Sequence, residues 1–325
     1  MKFKVIGAGL AGVEAAWQIA QRGYSVTLFE QKPDKKSPAH KSDDFAELVC
    51  SNSLKASRLD SAAGLLKEEM AMLGSLTVPV ARDCAVAAGG ALAVDRDVFS
   101  SVITEKIKNH KNISIVHQEI RNIEISDEEI IVVATGPLTD GDMSEAIKKL
   151  CGNYLSFYDA AAPIVTAESV NRGIAFGASR YDRGGEDDYL NCPFNKEEYE
   201  TFIHELVNAE GAVLHDFDVY EGCMPIEKLA KRGTDAPRFG PMKPVGLINP
   251  ATNHRPWAAV QLRRENADGT MFNIVGFQTN LKFGEQKRVF SMIPGLEKAE
   301  FVRYGVMHRN SFLDSPRVLN KSFSL

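Results

Sequence analysis

Short apolar runs alternate with amphipathic stretches through the first half of the chain. Phe3-Lys4-Val5-Ile6 reads as a short buried strand, and a glycine-rich turn follows it. Ala15, Ala16, Trp17, Ile19 and Ala20 then recur at helical spacing, which predicts a helix from about Val13 to Arg22, stopped by Gly23. Tyr24 to Phe29 reads as a second strand, ending at Glu30. Strand, helix and strand in such quick succession form a β-α-β unit, which implies parallel pairing with a right-handed crossover.

The pattern continues with strands over Ile113–Val116 and Ile130–Gly136. Helical periodicity appears near Leu65–Met72, Phe99–Asn109, Ser144–Leu150 and Lys196–Asn208. From Gly211 onward the signal shifts to strands and Pro/Gly turns, such as Trp257–Leu262 and Met271–Gln278 around Asn266-Ala267-Asp268-Gly269. A boundary is therefore expected around residues 165–180. No repeat of solenoid period occurs. No apolar run approaches the ~20 residues of a membrane-spanning helix, and the first residues enter a strand directly, so neither a membrane nor a secretory signal is expected.

Composition changes this picture in two places. At 325 residues, 44% hydrophobic and 25% charged, the chain suits two soluble domains or one domain with an insertion. The five cysteines are odd in number and lack a CxxC pair, so free thiols, no metal and a cytoplasmic location are expected. Net charge is −5, yet residues 228–325 hold 16 Lys/Arg against 7 Asp/Glu. That asymmetry suggests an anionic partner for the basic part.

Gly7-Ala8-Gly9-Leu10-Ala11-Gly12 is a complete GxGxxG between a strand and a helix, with Glu30 ending the next strand. The first glycine makes the turn, the second lets the backbone approach a pyrophosphate, and the third lets helix and strand pack closely. Glu30 can accept both hydroxyls of an adenosine ribose, which disfavours a 2′-phosphate at this loop. FAD and NAD share the loop. The later run ending Ala134-Thr135-Gly136 resembles FAD proteins of the glutathione-reductase type, in which that strand ends beside the same cofactor.

Two cysteines stand out as candidates for chemistry. Cys50 ends an apolar stretch and opens a polar one, Cys50-Ser51-Asn52-Ser53. Cys223 lies on the constrained Glu221-Gly222-Cys223-Met224-Pro225, followed by Lys228, Lys231 and Arg232, whose charges favour a thiolate. Either could be catalytic. Cys84, Cys151 and Cys192 read as small packed hydrophobes. His204-Glu205-Leu206-Val207-Asn208 begins like a zinc-protease motif, but Asn208 replaces its second histidine.

Several strings together go beyond generic flavin proteins. They include Val5–Gly12, Phe45-Ala46-Glu47-Leu48-Val49-Cys50-Ser51-Asn52-Ser53-Leu54, Gly64–Met70, Gly89–Arg96, Ala134–Leu138 and Phe157–Pro163. Glu221–Pro225, Phe239–Leu247, Gln261–Arg263, Asn273–Thr279 and Tyr304–Asn310 complete the set. With them the chain closely resembles the bacterial folate- and FAD-dependent tRNA uracil-5 methyltransferases, the TrmFO family.

The resemblance implies an α/β fold: an FAD-binding Rossmann-like domain of glutathione-reductase type with an inserted α+β domain. The expected division is 1–170 for the first part of the FAD domain, 171–303 for the insertion, and 304–325 for the start of the return. The family continues past residue 325 with a glycine-rich segment that completes its flavin site. Gly7 to Gly12, Glu30, Thr135 and Gly136 are the expected cofactor contacts.

The same resemblance implies that 5,10-methylenetetrahydrofolate supplies the one-carbon unit through FAD, with NAD(P)H as reductant. Cys223 would add to C6 of the target uracil, and Cys50 would take the C5 proton. The target implied is a uridine in the T loop of tRNA, drawn out of its stack. Lys228, Lys231, Arg232, Lys243, Arg263 and Arg264 are expected phosphate contacts on the T arm. An rRNA uridine would call for the same catalytic strings, and a non-catalytic flavin- or RNA-binding chain would keep the loop alone. The residues do not set the oligomeric state.

Overall fold

The computed structural model describes residues 1–37, 39–152, 155–180, 185, 188–212 and 224–325. Its first half is built on β1 (Lys2–Ile6), α1 (Leu10–Gln21) and β2 (Val26–Glu30). Next come β3 (Ser53–Ala56), α2 (Ala62–Met72), α3 (Thr77–Asp83), β4 (Ala85–Val86), β5 (Ala91–Val94) and α4 (Arg96–Lys108). The stretch ends with β6 (Ile113–His117), β7 (Glu129–Val133) and α5 (Gly141–Cys151). Strands β6, β2, β1 and β7 form a parallel sheet in that order, as the β-α-β reading requires. Strands β3, β5 and β4 form a small antiparallel sheet beside it.

Helix starts follow their caps. Asp95 accepts from Val98 N–H and Ser61 from Gly64 N–H, so α4 and α2 begin three residues earlier than apolar periodicity alone indicates. Asn195 and Glu198 form a reciprocal capping box, and α6 spans Lys196–Asn208 as predicted.

The second half contains β8 (Leu155–Ala160), β9 (Ile164–Thr166), β10 (Phe176–Gly177), β11 (Tyr189–Phe194) and α6. After them come α7 (Ile226–Lys231), α8 (Ala236–Phe239), β12 (Ala258–Arg264), β13 (Met271–Ile274), α9 (Phe283–Phe290) and β14 (Phe301–Arg303). The described chain closes with β15 (Met307–Phe312) and α10 (Ser315–Val318). A six-stranded sheet runs β10-β11-β12-β13-β9-β14, and its paired strands are antiparallel. Strands β8 and β15 pair separately.

Two large apolar clusters result. One packs Val5, Val13, Leu28, Phe99 and Ile103 between the parallel sheet and its helices. The other packs Phe194, Phe202, Phe277 and Phe290 under the six-stranded sheet, with ring centroids 5.3 to 6.2 Å apart along the row. No described helix is long and apolar enough to cross a membrane.

Candidate functional site

Three segments meet at the carboxyl ends of β1, β2 and β7. Gly7 has φ +99°, and a Cβ there would lie 2.5 Å from Ala134 O. A Cβ on Gly12 would lie 1.7 Å from Gly7 O. Both glycines are thus demanded by the close passage of main chain over main chain. Gly9 differs: a Cβ there meets nothing within 4 Å. Gly9, Leu10 and Ala11 are exposed, and α1 has no side-chain cap at Gly9. The first-turn N–H groups and the positive end of the helix dipole therefore face open ground. That is the shape and charge a pyrophosphate needs, so the residues present fit a dinucleotide cofactor.

Glu30 is buried beneath this loop. One carboxylate oxygen accepts from Ala8 N–H at 2.7 Å and the other from Lys32 N–H at 3.0 Å. It braces the loop, and each oxygen keeps a lone pair for a further donor. On the other side, Thr139 Oγ1 lies 2.7 Å from both Thr135 Oγ1 and Gly136 O, which fixes the turn after β7.

The Cys50 segment hangs from the same loop. Ala46 N–H donates to Ala8 O at 2.9 Å, and Ala46 itself takes φ 52°. From Leu48 to Asn52 the chain is held by three arginines. Arg96 donates to Leu48 O at 2.7 Å and to Cys50 O at 3.4 Å. Arg303 donates to Val49 O at 2.6 Å. Arg263 donates to Ser51 Oγ at 3.1 Å and to Asn52 Oδ1 at 2.8 Å. Asn52 in turn donates to Val94 O and Arg264 O. Arg96 also pairs with the buried Glu265.

Cys50 Sγ lies 3.9 Å from Ala160 O. Burial, and after it Asp159, push its pKa up to about 11, while Arg96 and Arg303 pull the other way. In the protein alone it is a thiol at neutral pH.

Cys223 lies outside the described residues. The chain that follows it is tied to the Cys50 side. Ile226 N–H donates to Gln278 O at 2.7 Å, and the Glu227 carboxylate accepts from Thr279 Oγ1 and Asn280 N–H at 2.9 and 2.7 Å. Thr279 then touches Gly305, where a Cβ would lie 2.6 Å from Thr279 Cγ2 and 2.8 Å from Ala161 O. Ala161 follows the carbonyl that meets Cys50.

The expected phosphate contacts divide. Lys231 and Arg232 are exposed at the end of α7, and Lys228, Lys243 and Arg264 are half-buried. Arg263 is only 6% exposed, and its guanidinium is committed to Ser51 and Asn52. The expectation for Arg263 is therefore corrected: it is a brace for the Cys50 segment. Its position inside β12, facing the loop, decides this. Among the described residues no group of three His, Cys, Asp or Glu side chains could hold a metal ion.

Sequence reading missed Arg96 and Arg303. Arg96 lies inside the quoted Gly89–Arg96 string and next to a helix cap, which was a usable signal. Nothing local marks Arg303.

The family profile of glucose inhibited division protein A matches residues 2–325. A protein of Acetivibrio thermocellus named methylenetetrahydrofolate–tRNA-(uracil-5-)-methyltransferase TrmFO is 60% identical over 325 residues, covering 99% of this chain and 74% of its own length. The chain belongs to the TrmFO family. A TrmFO of Natranaerobius thermophilus is 57% identical, with 75% of its length covered. Among solved structures, Aquifex aeolicus GidA superposes with a TM-score of 0.69 at 15% identity over 96% of this chain. That likeness shows the shared α/β fold, and this family member spans 55% of the GidA chain.

Proposed function

We propose that the chain takes part in folate- and FAD-dependent C5 methylation of a uridine in the T loop of tRNA, with NAD(P)H as reductant. The relatives' names support the reaction class. The observation that carries it in this chain is the bond from Ala46 to Ala8, which starts the thiol-bearing segment on the dinucleotide loop.

The amides of Gly9 to Ala11 would hold the pyrophosphate of FAD, and Glu30, Thr135 and Gly136 would flank it. When bound, FAD supplies the hydride and one-carbon chemistry that no side chain offers. Cys223 is the proposed nucleophile toward uracil C6, because C5 becomes nucleophilic only after that addition. Cys50 is the proposed acceptor of the C5 proton. Burial and Asp159 keep it protonated, so its base form arises against that bias with help from Arg96 and Arg303. Lys228, Lys231, Arg232, Lys243 and Arg264 are proposed phosphate contacts. The division into 1–170, 171–303 and 304–325 is likewise proposed; the separate sheets support two parts but place β9 (Ile164–Thr166) with the second, six-stranded one.

The test is mass spectrometry of unmodified tRNA after incubation with the chain, FAD, methylenetetrahydrofolate and NADPH. 5-Methyluridine in the T loop is the expected product. Its appearance without folate, or its persistence in Cys223→Ala, would overturn the assignment.

A further inference from the structure

A second site lies on the other side of the Cys50 segment. It is a cleft of about 320 Å³ whose walls include Lys55, Arg58, Arg180, Gly89, Gly90 and Tyr189. Lys55 and Arg58 are exposed. Among the described residues that form its walls there is no carboxylate. Arg58 meets Asp60 at 3.4 Å, but that pair is exposed on both sides and readily exchanged for another anion.

The cleft is built rather than accidental. Lys55 takes φ 67°, a conformation side chains other than glycine rarely adopt, at a register shift in the pairing of β3 with β5. Ser57 N–H donates to Gly90 O at 3.0 Å, and Lys67 Nζ to Ala56 O at 2.9 Å, so the bulged segment is pinned on both sides. The Gly89-Gly90 turn is pinned in turn by the six-stranded sheet. Gly89 N–H donates to Asp188 at 2.7 Å, and Tyr189 Oη donates to Ala88 O at 2.9 Å.

The cleft leads toward the thiol. β3 starts three residues after Cys50. On β12, Gln261 lines the cleft and Arg263, on the same face two residues along, holds Ser51 and Asn52. We propose that this cleft holds backbone phosphates of the RNA substrate and delivers its strand to Cys50, an inference that rests on the RNA-methylating reading above. Two exposed cations on one wall, with Arg58 lying over the side-chain-free Gly90, suit a phosphodiester, which needs charge and close backbone approach. The cations of the cleft, Lys55, Arg58 and Arg180, all lie outside the basic part of the sequence, which is why charge counting along the chain misses them.

The experiment measures binding of an unmodified tRNA transcript by fluorescence anisotropy across a KCl series. The Lys55→Ala/Arg58→Ala double variant should bind about tenfold more weakly at low salt. Its slope of log affinity against log salt should be shallower by roughly 1.5 to 2, the loss of two phosphate contacts. Lys55→Arg/Arg58→Lys should restore both. Lys55→Gly relieves the backbone, so it should melt no lower than the native chain yet lose about half of that slope change. An unchanged slope in the double variant overturns the proposal. So does an unchanged slope with weakened methylenetetrahydrofolate binding, which would assign the cleft to a folate carboxylate. If the native chain itself binds tRNA without salt dependence, this proposal and the reading beneath it fall together. If the native chain methylates tRNA and only the variant result fails, this proposal falls alone.

Discussion

The dinucleotide loop and the Cys50 segment touch at Ala8 and Ala46, yet they are held by opposite means. The loop is fixed by main chain against main chain: Gly12 under Gly7, Gly7 against Ala134, and one carboxylate below. The Cys50 segment is fixed by side chains that arrive from 46 to 254 residues away. A loop of the first kind tolerates no added atom at Gly7 or Gly12. One of the second kind tolerates loss of a single brace but not of its hydrogen-bonding logic.

Gly12→Ala tests the first half of that contrast and carries the largest expected effect. With Gly7 O at 1.7 Å from the new Cβ, the main chain must move, costing about 3 kcal/mol or more. Urea denaturation reads the stability, and lost flavin absorbance after reconstitution reads the site. Stability within 1 kcal/mol of the native chain, on the order of an ordinary surface change, would break the comparison.

Arg263→Met comes next. It leaves the buried Asn52 Oδ1 without its donor, an expected cost of about 2 kcal/mol. Unlike Gly12→Ala it should leave flavin binding intact while Cys50 becomes more accessible to a thiol reagent. Equal damage to flavin binding would mean that the two segments act as one unit. Glu30→Gln follows, at about 1 to 2 kcal/mol: glutamine keeps one oxygen for either Ala8 or Lys32 N–H and turns an NH2 toward the other, which loses its acceptor. Denaturant midpoints check it.

The smallest effect is a shift in titration. Alkylation of Cys50 should rise with pH toward a midpoint near 11, because burial disfavours its thiolate. Asp159→Asn removes a negative neighbour and should move that midpoint down, whereas Arg303→Leu removes a positive one and should move it up. Mass-resolved labelling rates across pH 8 to roughly 12 decide the sign. The opposite directions would place other charges at the thiol.

The same contrast explains what the sequence made legible. The β-α-β unit, its glycines and Glu30 sit within thirty residues, so local pattern and a known motif reach them. Lys196–Asn208 was readable because its capping box and apolar face are both local. The arginine braces were not, since Arg263 looks like any cation until β12 turns it inward. The counting of charge along the chain placed Arg263 on an RNA surface for that reason. Short strands such as β8, β9 and β15 also escaped, because their partners lie far along the chain.

Distance along the chain also sets an order of events. During synthesis the glycine loop can close once β7 is made, but Val49 must wait for Arg303, 254 residues later, before its carbonyl finds its donor. Until then Cys50 lies on a segment without its last clasp. The Cys50 thiol therefore sits on a segment that is incompletely tied until residue 303 emerges, and that interval is when it is most open to oxidation.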